Sequence, residues 1–237
     1  MKILGIVCGV LEEIFTKTAQ KSENDIQIRI IDKHLHTEPD KLRVELQKFL
    51  DNLTETFDFV VLGFGLCGGA LNGLKSGKHT LVIPKSHDCI TFYLGSKERY
   101  NEMVDKYENK CYWFTPSFFK QEYLPVKSFN DKKWQDYADK YDEDTADYLM
   151  EIELAPLKNY THLMLVDDFS APTEGMAGFA EQTANEYNWK IGVFDVVYDM
   201  FDMFFKGTYD ENVFLTVLPE NTVVQSQSAR EIIAVKK

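Results

Sequence analysis

The period of hydrophobic and polar positions changes repeatedly along the first half of the chain, and each change predicts an element. Lys2 to Val7 is a short apolar strand, and Leu11 to Ala19 is amphipathic. Asp25 to Ile31 runs Ile-Gln-Ile-Arg-Ile, the alternation of a second strand. Thr37-Glu38-Pro39-Asp40 reads as a helix start, with proline in the first turn and acids at the positive end of the helix dipole. Leu42, Leu46, Phe49, Leu50 and Leu53 then recur at the spacing of one buried helix face. Phe57 to Leu62 predicts a third strand, and His79 to Ile83 a fourth that stops at Pro84. A helix from about Cys89 to Tyr107 follows, with Ile90, Tyr93, Leu94 and Val104 facing inward. Alternation of this βαβαβ kind implies a parallel sheet covered by helices.

The second half is less regular. Cys111 to Phe114 is a short aromatic strand closed by Thr115-Pro116, and Asp131 to Leu154 is a long, charged, tyrosine-rich helical stretch. Strands are expected at Thr161 to Val166, Lys190 to Phe194 and Val213 to Leu218, with a helix from Thr173 to Tyr187. The fold class is therefore α/β, a Rossmann-like parallel sheet flanked by helices. Residues 1–115 form the half that carries the motifs, and residues 116–237 an acidic second α/β half. The pattern suits two similar lobes or one continuous sheet.

Composition narrows the function. Among 237 residues, 38 acids outnumber 26 bases, for a formal charge of −12. A nucleic-acid binder needs clustered Lys and Arg to neutralise phosphates, so that class is excluded. The start of the chain lacks the pattern of a secretory leader, and no stretch approaches the roughly 20 apolar residues of a membrane span. These points lead to the expectation of a cytoplasmic protein with no membrane partner. In that compartment four cysteines suggest metal, catalysis or core packing before disulfides.

Two segments concentrate the chemistry. Gly63-Phe64-Gly65-Leu66-Cys67-Gly68-Gly69 follows a buried strand directly, and its glycines permit positive φ and close backbone approach, with Gly65 and Gly68 candidates to cradle a cofactor. Ligands of open parallel sheets sit beyond the carboxyl ends of the strands, where this turn belongs. Backbone N–H groups around Cys67 would favour thiolate over thiol. The turn also matches G-x-G-x-x-G, with Asp88 twenty residues after Gly68. It follows the third strand, however, and only a short glycine-broken stretch precedes the next strand, so a dinucleotide site is not expected. The second segment, Pro84-Lys85-Ser86-His87-Asp88-Cys89, closes the fourth strand and opens a helix on the same edge. Cys8 ends the first strand there as well. Cys8, Cys67 and Cys89 thus converge by topology, whereas Cys111 reads as core. His34 and His36 flank Leu35 after the second strand; side chains two apart in an extended segment point the same way. His79 and His162 begin strands at the opposite edge and read as structural. Asp167, Asp168, Asp195 and Asp199 follow strands of the second half and could close a site or bind a cation. The face bearing Tyr137, Tyr141 and Tyr148 would suit a cationic partner.

The blocks Leu62-Gly-Phe-Gly-Leu-Cys-Gly-Gly69 and Val82-Ile-Pro-Lys-Ser-His-Asp-Cys-Ile90, followed by Leu94-Gly-Ser96 and Arg99-Tyr100, resemble the family catalogued as domain of unknown function 1638. Cys8 and the pair Leu35-His36 are similar to further family positions. Phe64, Gly69 and Lys85 stand where that family commonly has Tyr, Asn and Arg, and Lys85 lacks the planar fork of an arginine. The resemblance runs from the start to about Pro116 and rests on looser spacing beyond. It implies an anaerobic, cytoplasmic setting near corrinoid proteins and methylamine methyltransferases of one-carbon metabolism. Carried over by position, its functional residues are Cys8, His36, Cys67, His87, Asp88 and Cys89.

Three functions follow as expectations. In the first, Cys8, Cys67 and Cys89 ligate zinc or an iron–sulfur cluster for chemistry on a small substrate, with His87 or Asp88 transferring protons. In the second, Cys67 is a metal-free nucleophile with His87 as base. In the third, the chain is a non-catalytic accessory protein binding a corrinoid or a related ligand through His36 or His87, docked to a corrinoid protein or methyltransferase.

Overall fold

The computed structural model describes residues 1–120, 125–167, 174–225 and 232–236, without the side chains of 36–37 and 232–236. The chain forms two compact units that are not successive halves. Met1–Tyr100 and Val197–Lys237 make the first, and Asn101–Val196, inserted between them, makes the second.

The first unit opens with β1 (Lys2–Cys8), α1 (Glu12–Gln20), β2 (Asp25–Ile31), α2 (Pro39–Asn52), β3 (Phe59–Gly63) and β4 (Leu81–Pro84). The unbroken apolar run of β1 is explained by its place: it is parallel to β2 on one side and β3 on the other, and all but its first residue are buried. The alternation in β2 marks the sheet's edge, where Gln27 and Arg29 accompany the half-buried Ile26, Ile28 and Ile30. Pro39 occupies the first turn of α2, and Leu42, Leu46 and Leu50 are its buried face. Right-handed crossovers put α1 and α2 on opposite faces of the sheet. On the α1 face, Phe15 is fully buried and packs edge-on against Phe92 and Phe201.

The helix expected from Cys89 to Tyr107 is two helices, α3 (Cys89–Leu94) and α4 (Lys97–Tyr107). Gly95 adopts φ +78° and its N–H caps the Thr91 and Phe92 carbonyls, ending α3. Ser96 restarts the chain by accepting the Arg99 N–H at 3.2 Å. Period alone could not reveal this break, because both helices keep their apolar residues at helical spacing.

The second unit contains β5 (Cys111–Phe114), α5 (Pro116–Lys120), α6 (Lys127–Lys140), α7 (Glu143–Leu154), β6 (His162–Asp167), α8 (Met176–Tyr187) and β7 (Lys190–Asp195). Its strands form a parallel sheet in the order β5-β6-β7 over a core of Phe114, Leu163, Met176, Ala180 and Trp189. The single helix expected at Asp131 to Leu154 is likewise a pair, α6 and α7. Asp142 caps α7 by accepting the Thr145 N–H at 2.7 Å, and Trp134 of α6 donates to Asp147 of α7 at 2.7 Å.

The chain then returns to the first unit with α9 (Asp199–Phe204), β8 (Phe214–Val217), β9 (Asn221–Gln225) and β10 (Ile232–Lys236). The five-stranded sheet runs β2-β1-β3-β4-β8, and only β8 is antiparallel to its neighbour. The antiparallel β9–β10 hairpin lies along residues 72–76, where the Gly73 N–H reaches the Val223 carbonyl at 2.7 Å. The α/β class and its largely parallel sheet match the sequence reading. The units carry separate sheets, and residues 101–115 and 197–237 each belong with the unit opposite to the one a division at residue 115 would give them.

Candidate functional site

After β2 the chain passes back over β1 to lay down β3, so strand order reverses between β1 and β3. Ligand sites of open α/β sheets lie at such a reversal, beyond the carboxyl ends of the strands. Cys8 is the last residue of β1, and Cys67 lies in the turn just after β3. The turn is tightly wound: Leu66 is helical, and Cys67, Gly68 and Gly69 follow at φ +42°, +65° and +94°. A left-handed backbone costs a non-glycine residue roughly 1–2 kcal/mol, so Cys67 is held there by its surroundings. Those surroundings are the loop after β4. The Leu66 N–H is shared between the Ser86 and His87 carbonyls, each at 3.0 Å. A side chain on Gly65 would stand 2.5 Å from the Asp88 Cα, so the close approach that Gly65 permits is that of Asp88. Gly68 is exposed, with Pro39 its near neighbour. Asp88 caps α3 by accepting the Ile90 N–H at 2.9 Å, which places Cys89 in the first turn.

All four cysteines are free thiols. Burial pushes the Cys67 thiol up to about 12, reinforced by the charges of Cys8 and Asp88. Burial also pushes Cys89 well above its usual value, followed by the charges of Asp88, Cys67 and Cys8. Cys8 is raised by burial, against an opposing hydrogen bond from the Val10 N–H. The Gly65 N–H does favour the Cys67 thiolate, as the sequence suggested, but burial outweighs it and the expected stabilised thiolate is not what the fold provides. Cys8 therefore acts electrostatically on Cys67, and both act on Cys89. Each is a neutral thiol at neutral pH.

His87 and Asp88 are joined by Tyr100, a residue that the sequence named as part of a motif but not as a site residue. The Tyr100 hydroxyl donates to Asp88 Oδ2 at 2.9 Å and lies 3.1 Å from His87 Nδ1. His87 Nδ1 also lies 3.4 Å from Asp88 Oδ2, and the two rings stack with centroids 5.3 Å apart. Tyr100 is buried. It reaches His87 because the chain folds back at Gly95, and only the Gly95-Ser96 pair hints at that in the sequence.

Other candidates stand apart from this arrangement. His34 and His36 fall in a 3-10 turn, Lys33–Thr37, so the same-side argument for an extended pair does not hold. His34 is exposed, and the His36 side chain lies outside the described residues. His79 is buried in the bend two residues before β4, and burial lowers its pKa. His162 lies in the second unit beside Thr161 and the Tyr107 ring. Asp167 and Asp195 are register partners at the ends of β6 and β7; Asp168 lies outside the described residues. Asp199 opens α9. Cys111 is only half-buried, so it is less a core residue than the sequence suggested. The glycine turn leads into a 3-10 turn, Cys67–Gly69, and not into a helix whose N-terminus could hold a pyrophosphate. A cavity of about 410 Å³ opens at the other end of the strands, lined by Lys21, Asn24, Asp202 and Lys206 among others.

The donor set at the strand ends, three sulfurs with a histidine and a carboxylate nearby, suits a soft or borderline cation such as zinc or iron. As the side chains stand, no three His, Cys, Asp or Glu among the described residues are grouped to hold a metal ion. No helix among the described residues is long and apolar enough to cross a membrane.

No curated protein and no solved structure matches the chain. The profile of a family described as a protein of unknown function (DUF1638) matches residues 30–205. That stretch includes the glycine turn and the His87-Asp88-Cys89 loop, and it continues well past Pro116. Cys8 precedes it, so the place of Cys8 in the site rests on the geometry of β1. With most of its length matched, and with both motif blocks inside the match, the chain belongs to the DUF1638 family.

Proposed function

We propose that the chain is a thiolate-centred enzyme acting on a small molecule, in which Cys8, Cys67 and Cys89 hold zinc or an iron–sulfur cluster. One observation carries this reading: Cys8 ends β1, Cys67 sits in the turn after β3 and Cys89 opens α3 after β4, beside the reversal of strand order. There the charge of Cys8 raises the Cys67 pKa, and the charges of Cys67 and Cys8 raise that of Cys89. Three thiolates gathered at one partly buried site repel, and a soft cation turns that repulsion into attraction. The thiols would then lose their protons only on binding, as metal-coupled ligands do. Such a group, when bound, supplies Lewis-acid or redox chemistry at an open position. His87 and Asp88 lie beside it as the proton-handling pair, with Asp88 held by Tyr100 and by the first turn of α3. Burial weighs against a free cysteine nucleophile, because it keeps Cys67 protonated. A methylated or sulfur-bearing substrate, with a corrinoid protein or methyltransferase as partner, belongs to this proposal through the family resemblance.

Titration with cobalt(II) tests it. The expected result is strong near-ultraviolet thiolate-to-cobalt absorption saturating at about one equivalent, with release of about three protons per ion near neutral pH. Cys8→Ser, Cys67→Ser and Cys89→Ser each weaken the band, whereas Cys111→Ser leaves it intact. Absence of the band and of proton release would overturn the proposal.

A further inference from the structure

The hydrogen bonds around Tyr100 determine which nitrogen of His87 carries the proton. An ionised carboxylate only accepts, and a tyrosine hydroxyl has one hydrogen to give. Tyr100 gives that hydrogen to Asp88 Oδ2 at 2.9 Å. The carboxylate is itself fixed, since its other oxygen caps the Ile90 N–H at 2.9 Å. Among the described residues His87 Nδ1 therefore faces only lone pairs: the Tyr100 oxygen at 3.1 Å and Asp88 Oδ2 at 3.4 Å. A bare Nδ1 there would add a third lone pair, whereas Nδ1–H satisfies both acceptors. The buried Tyr100 ring, stacked 20° from parallel on the imidazole, holds the ring plane in the orientation this requires.

We infer that Tyr100 is a positioning residue which, with Asp88, fixes His87 as the Nδ1–H tautomer and so presents Nε2 as the proton acceptor of the site. The identity of the protonated nitrogen is set by the hydrogen bond made at the other one, and here both partners of Nδ1 act in the same direction. The His87 side chain is 46% exposed, so a substrate can approach it. The inference stands on the Tyr100–Asp88–His87 contacts and holds whether or not the thiols bind a metal.

Long-range 15N–1H correlation spectra of histidine-labelled protein at about pH 8, above the ordinary histidine range, read the tautomer directly. The His87 signals are assigned by their loss in His87→Gln. The wild-type chain is expected to show the Nδ1–H pattern at His87. Tyr100→Phe keeps the stacked ring and removes the hydroxyl, and it is expected to raise the Nε2–H population several-fold with the far-ultraviolet circular dichroism unchanged. A wild-type Nε2–H pattern would overturn the inference, with no need of any variant. An unchanged tautomer in Tyr100→Phe would remove Tyr100 from the assignment. A merely structural tyrosine would change stability and leave the tautomer alone.

Discussion

At the scale of single residues, the site is governed by burial acting against charge. Cys67 has a strained backbone, an N–H donor and a glycine-rich turn, all features associated with an activated thiol, yet burial sets its pKa at about 12. The metal-free folded chain should therefore react slowly: at about pH 8, iodoacetamide should label Cys67 at least roughly tenfold more slowly than free cysteine. A rate equal to or above that of free cysteine would contradict this account of the site. His79 shows the same physics with the opposite sign. Burial lowers its pKa, its Nε2 has no hydrogen-bond partner among the described residues, and its charged form is disfavoured in the fold. The unfolded chain accepts a proton near 6.5 and the folded chain does so only at lower pH. The resulting stability is complete above that value and is lost as pH falls through the lowered one. The urea midpoint of the wild type should thus drop more between about pH 7.5 and pH 5 than that of His79→Gln. Equal drops would show that His79 is not responsible.

At the scale of elements, the turn after β3 and the loop after β4 act as one piece, joined through Gly65 and Leu66. Gly65→Ala places a methyl group against the Asp88 backbone, which cannot move aside as a flexible side chain could. It should destabilise the chain by about 1–3 kcal/mol, the usual cost of overpacking, and shift the His87 and Asp88 signals. Gly178→Ala is the contrasting change, since no described residue comes within 4 Å of a Cβ at that position of α8. It should raise stability by about 0.5–1 kcal/mol through helix propensity. Urea denaturation of both variants checks the pair. Much of this level was legible in the sequence: the run in β1, the alternation in β2 and the Pro39 start of α2 are local signals, and the structure follows them. What was not legible depended on breaks and returns. Gly95 divides one periodic stretch into α3 and α4, and Asp142 opens α7 where a single helix was expected. The β9 strand is held by the backbone of residues 72–76, distant in sequence. The site was partly legible for the same reason. Strand ends predicted where Cys8, Cys67 and Cys89 would lie, whereas Tyr100 reaches His87 only through the fold-back at Gly95.

At the scale of the molecule, charge and chemistry are separated along the chain. The stretch Asn101–Val196 holds 19 of the 38 acids and nine of the 26 bases, so it carries −10 of the formal −12. The unit bearing the cysteine motifs is nearly neutral by formal charge. The acidity averaged over the whole chain thus describes mainly the second unit. The first is described by the reversal of strand order at β1 and β3, and by the thiols gathered there. The central claim is that these thiols hold a soft metal. Purification of the full chain without oxygen, followed by zinc, iron and sulfide determination, measures it most directly. The account predicts about one zinc ion or one iron–sulfur cluster per chain, lost in Cys67→Ser and retained in Cys111→Ser. Wild-type protein carrying neither zinc nor iron would contradict it.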